Sequence, residues 1–68
     1  MAALTPRQFD VVLCLSQGLT YRQIAVALGI TARTARAHAQ AVAAKLPGTD
    51  SAQRRILRQL PKLLTTSH

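Results

Sequence analysis

Arg33, Arg36 and Gln40 stand three and four residues apart in a stretch otherwise dominated by alanine and other small residues. On a helix this spacing puts them on one face, together with Ala37 and Ala44. Guanidinium and carboxamide groups carry the donors and acceptors that match base edges and phosphate oxygens, and the small alanines let the helix backbone come close to a partner surface. Other chemistries find no such grouping. Cys14, His38 and His68 lack the close paired spacings of a zinc site. No nucleophile stands near a base with an orienting group, and no glycine-rich phosphate loop is present. The expectation is no catalytic residue, no metal and no cofactor, so not an enzyme.

The charge balance points the same way. Nine Lys and Arg face two acids in 68 residues, a net charge of +7, and no acid lies between Asp10 and Asp50. A polyanion is the natural partner of so basic a chain. A membrane surface fits less well, because the basic residues do not sit opposite a broad Trp/Phe/Leu face and the apolar runs are far short of a span. Met1-Ala2-Ala3 leads straight into structured sequence, so no signal peptide is expected. The one cysteine, Cys14, lies among Val11, Val12 and Leu15. It reads as a buried small hydrophobe in a reducing, cytoplasmic setting.

Four helices are expected to position these residues, over about 6–17, 21–28, 32–46 and 52–60, giving a small all-α domain that contains a helix-turn-helix. The chain reads as one domain over 1–68, with an ordered core over about 4–60 and a frayed tail over 65–68. Thr5 caps the first helix with Pro6 at its first position and Leu4 as a staple. The inward stripe is Val11, Val12, Cys14 and Leu15, and Gly18 ends the helix. Thr20 caps the second, which turns Ile24, Ala25 and Leu28 inward and stops at Gly29. Thr31 caps the third, whose core stripe is Ala35, His38/Ala39, Val42 and Leu46. Pro47-Gly48 then breaks the chain, and Thr49-Asp50-Ser51 offers caps for the fourth helix, which Pro61 should end or kink. Phe9 and Leu13 form an i, i+4 pair beside the first stripe, and Leu57 and Leu60 are left over on the fourth helix. Each pair reads either as wider core contact or as a surface for a second protein.

In this order and spacing, Leu4-Thr5-Pro6-Arg7-Gln8, Gly18-Leu19-Thr20, Ile24-Ala25, Leu28, Ile30-Thr31, Thr34, His38, Val42 and Lys45-Leu46 resemble the DNA-binding domain of LuxR-type transcription regulators. The resemblance implies sequence-specific binding of double-stranded DNA. The third helix would enter the major groove, and the fourth would help pair two domains as a homodimer on two half-sites. Carried over by position, it implies base reading at Arg36, Ala37 and Gln40, and phosphate contacts at Thr20, Tyr21, Arg22, Arg33, Thr34 and Lys45. Free N–H groups and the positive dipole end at Thr20-Tyr21-Arg22 suit a phosphate. Arg36 suits a guanine, Gln40 an adenine and Ala37 a thymine methyl.

Departures from the family pattern carry information too. Members commonly have Glu where this chain has Gln8 and Gln23, a larger aliphatic where it has Ala35, and polar residues where it has Phe9 and Leu13. The usual Gly-Val pair after Lys-Leu is replaced by Pro47-Gly48-Thr49-Asp50-Ser51. Region 4 of sigma factors shares the Gly18-Leu19-Thr20-Tyr21 opening, but His38 and the Lys45-Leu46 ending argue against it. A reading of another class is an interaction module that pairs with a regulatory protein or an RNA polymerase subunit.

Overall fold

A computed structural model of the chain describes residues 4–65. Helices α1 (Pro6–Ser16), α2 (Tyr21–Leu28), α3 (Ala32–Ala43), α4 (Ala52–Arg58) and α5 (Leu60–Thr65) follow one another, and no strand occurs among the described residues.

Short polar residues start the first four helices. Thr5 accepts the Gln8 N–H at 3.1 Å, and the Gln8 side chain accepts the Thr5 N–H at 3.1 Å. Thr20 and Gln23 repeat this reciprocal pair at 3.2 and 2.9 Å. Both are capping boxes in which an uncharged carboxamide does the work usually given to a carboxylate. Thr31 accepts the Thr34 N–H at 3.1 Å, and Ser51 accepts the Arg54 N–H at 3.3 Å. Caps of this kind stabilise a helix by about 1 kcal/mol each.

Glycine ends the first two. Gly18 takes φ 83, and the Gly18 and Leu19 N–H groups reach back to Leu15 and Cys14 carbonyls at 3.0 and 3.2 Å. That is a Schellman motif, with Leu19 folded onto the core behind it. Gly29 (φ 68, ψ 34) ends α2 in the same left-handed conformation, with its N–H and that of Ile30 both reaching the Ala25 carbonyl and Ile30 placed against the core. A side chain at either position would be strained in the left-handed region.

The third helix is shorter than the expected 32–46, ending at Ala43. Were the helix to continue through 47, the proline ring would clash with the carbonyl four residues back, at Ala43, and a proline disfavours the α region for the residue before it, Leu46. The chain tightens instead into i to i+3 bonds, from Lys45 N–H to Val42 at 3.1 Å and from Leu46 N–H to Ala43 at 2.9 Å. Arg55 then closes the exposed end, its Nη1 donating to the Ala43 carbonyl at 3.1 Å and its Nε to the Asp50 carbonyl at 2.7 Å. Arg58 donates to the Asp50 carboxylate.

The expected fourth helix, 52–60, is two helices. Gln59 links them: its N–H bonds to the Ile56 carbonyl at 3.0 Å, and its carbonyl accepts the Leu63 N–H at 3.0 Å. Pro61 therefore sits in the first turn of a new helix, where the absence of a backbone N–H costs no intrahelical bond. Thr65, expected in the frayed tail, is the last residue of α5, and 66–68 lie outside the described residues.

Val11, Val12 and Leu15 of α1, Ile24 of α2, Ala35, Ala39, Val42 and Ala43 of α3, Ile56 of α4 and Leu63 of α5 form one buried cluster. Central in it is α3, packed against α1, α2 and α4. Its buried side chains are mostly alanines, so the neighbouring helices can approach its backbone closely. The expected stripes hold, with Cys14, Leu28, His38 and Leu46 half-buried at their edges. Ala43 and Leu63 join the core unannounced.

Candidate nucleic-acid interface

Capped at Thr31 and buried along Ala35, Ala39, Val42 and Ala43, α3 turns its opposite face outward, exposing Arg33, Arg36, Ala37, Gln40 and Ala44. These are the residues the spacing places together. Thr34 is exposed at the start of the helix, where its N–H and hydroxyl are both held by Thr31. Lys45 is exposed just past the end. On α2, Thr20 and Arg22 are exposed, the Thr20 hydroxyl already accepting from Gln23.

Tyr21 differs from its neighbours. Its side chain is half-buried and packs on the core, and the Arg36 guanidinium lies over its ring, 5.4 Å from the centroid. Burial pushes the phenol above the ordinary tyrosine range, and the Arg36 cation takes back part of that rise. The hydroxyl therefore remains protonated throughout the neutral range. Neither this contact nor its partner is visible in the spacing, since the two residues lie on different helices.

The acids are placed elsewhere. Asp10 pairs with Arg7 at 3.5 Å on α1, and Asp50 pairs with Arg58 of α4. Among the described residues no carboxylate pairs with Arg22, Arg33, Arg36 or Lys45. Four cations are thus left uncompensated on the α2–α3 side of the molecule. Across the described residues, no group of three or more His, Cys, Asp or Glu is placed to hold a metal ion, and no helix is long and apolar enough to cross a membrane.

The four residues read as protein-contact candidates separate. Phe9 and Leu13 are half-buried, yet lie outside the set that packs on the core. Leu60 opens α5 and packs against the core, so it is not a free surface residue; Leu57 is 39% exposed. Val26, not anticipated, is 82% exposed. Its position was legible, because with Ile24, Ala25 and Leu28 inward, residue 26 must fall on the opposite face of α2.

Residues 2–58 match the family model described as Bacterial regulatory proteins, luxR family. Neither curated proteins nor solved structures gave a match.

Proposed function

Because the chain belongs to the luxR family of bacterial regulatory proteins, DNA-binding regulators of transcription, we propose that it reads a specific double-stranded DNA sequence with α3 in the major groove. In this reading Arg36, Ala37 and Gln40 face base edges. Thr20, Arg22, Arg33, Thr34 and Lys45 face phosphates, with Tyr21 beside them. The observation that carries the proposal is the segregation of charge: Asp10 and Asp50 are paired with Arg7 of α1 and Arg58 of α4, and Arg22, Arg33, Arg36 and Lys45 have no carboxylate partner among the described residues. Cations held without counter-charges on a helix-turn-helix are what a polyanion neutralises, releasing its own counterions.

Two copies on two half-sites are part of the proposal, acting in a bacterial cytoplasm. One such module covers roughly 600–1,000 Å² of protein surface on DNA, which gives limited affinity, and a second copy converts the next contact into an intramolecular one. The domain would act as a single unit over the whole chain.

Selection of bound duplexes from a random pool tests this, followed by titration of the best duplex against a scrambled one at two salt concentrations. The expected result is a motif with two half-sites, and affinity that falls with a log–log salt slope of about −5 if two copies each neutralise three phosphates. Binding without any motif would refute sequence reading. Binding to protein alone, insensitive to salt, would favour the interaction module instead, and the exposed Val26 and Leu57 are the observations on that side.

A further inference from the structure

We propose that Tyr21 is a positioning residue for base reading: its ring holds the Arg36 guanidinium and so sets how strongly the domain prefers the base pair that Arg36 faces. This rests on α3 being the helix that reads DNA.

Anchoring comes first. Tyr21 is the first residue of α2, next to a cap locked by two hydrogen bonds between Thr20 and Gln23, and its side chain packs on the core. The ring is therefore a fixed platform. Arg36, by contrast, is exposed on α3 and has no carboxylate partner among the described residues. A free arginine carries about 2 kcal/mol of rotamer entropy, which it loses on docking to a base. A ring within about 6 Å of the cation narrows that freedom beforehand, and the observed 5.4 Å lies inside this limit.

The kind of contact matters as much as its presence. A carboxylate would occupy the in-plane N–H donors of the guanidinium, the donors that a guanine accepts in pairs. An aromatic ring attracts the positive charge without accepting those hydrogen bonds. Tyr21 thus holds the side chain and leaves its recognition edge open. It also ties the reader to the start of α2, so the register of α2 on the backbone and the aim of Arg36 are set together.

The test has two arms. In the free protein, the Arg36 δ-methylene protons should show an upfield ring-current shift by NMR. The shift should persist in Tyr21→Phe and vanish in Tyr21→Leu, a change that keeps an apolar side chain against the core. Its absence from the unsubstituted protein overturns the proposal whether or not the variants fold. On DNA, Arg36→Ala first identifies the base pair whose preference is lost. Tyr21→Leu should then reduce the preference at that pair by about two- to five-fold, leaving other positions unchanged, while Tyr21→Phe retains it. Unchanged preference in Tyr21→Leu overturns the positioning role. So does a Tyr21→Phe variant that binds all duplexes more weakly with an unaltered salt slope, which would make the uncharged hydroxyl a phosphate contact. If Arg36→Ala alters no base preference, the reading of α3 itself fails, and the role of Tyr21 falls with it.

Discussion

Arg36 and Arg55 show how differently one side chain is used on the two sides of this molecule. On the α2–α3 side, Arg36 rests on a ring with its donors unspent, and Arg22, Arg33 and Lys45 have no carboxylate partner among the described residues. On the α4 side, Arg55 gives its N–H groups to the Ala43 and Asp50 carbonyls, and Arg58 is tied to Asp50. A net charge of +7 therefore overstates what is free to meet a polyanion. Some cations hold the end of α3 in place, so that others can face outward from it.

The contrast is broken most directly at Arg55. Arg55→Ala removes two charge-assisted bonds to backbone carbonyls at the end of α3, and should lower stability by about 2–4 kcal/mol in urea denaturation. The salt slope of DNA binding by the fraction that remains folded should not change. Arg36→Ala should do the opposite: stability stays within about 0.5 kcal/mol, while discrimination at one base pair falls by about 1–3 kcal/mol in competition titrations. An Arg36→Ala protein with unaltered preference and affinity would show that the reading face is misplaced. Arg22→Ala sharpens the distinction between reading and anchoring, since it should weaken binding to all sequences alike and reduce the salt slope by about 0.9 per bound copy.

Smaller effects come from the cap of α2. Gln23→Glu keeps the capping box and should stabilise the helix by about 0.3–1 kcal/mol through the dipole. It should also weaken binding to every duplex, because it adds a negative charge beside the expected phosphate. Measured together, a higher thermal midpoint and a lower affinity would place this helix start at the DNA backbone; unchanged affinity would place it elsewhere. The smallest effect belongs to Tyr21. Burial raises its phenol pKa in the folded state, so above about pH 10 the unfolded chain releases its proton first and stability falls as pH rises. Urea midpoints on either side of that value should diverge less in Tyr21→Phe.

Much of this arrangement is legible in the residues because much of it is local. Thr5, Thr20 and Thr31 bond to groups three positions on, and Gly18 and Gly29 act on the turn just behind them. Stretches with that grammar announce their own ends. The outward set on α3 is legible as well, from the spacing of its alanines and valine. What eluded the sequence depends on distance along the chain. The group that satisfies the Ala43 carbonyl at the early end of α3 is Arg55, which reaches it from α4. Pro61 reads as an end or a kink, but whether a proline closes one helix or opens the next depends on the packing of the residues after it, and here Leu63 is buried in the core. The Tyr21 ring under Arg36 requires α2 and α3 to be packed before it exists at all.

The two carboxamide boxes at Thr5–Gln8 and Thr20–Gln23 have one more consequence. A box built with glutamate loosens in acid, when its carboxylate takes up a proton and gives up its charge-assisted hold on the backbone. Glutamine has no proton to gain. The starts of α1 and α2 are therefore fastened equally well in mildly acidic and neutral surroundings.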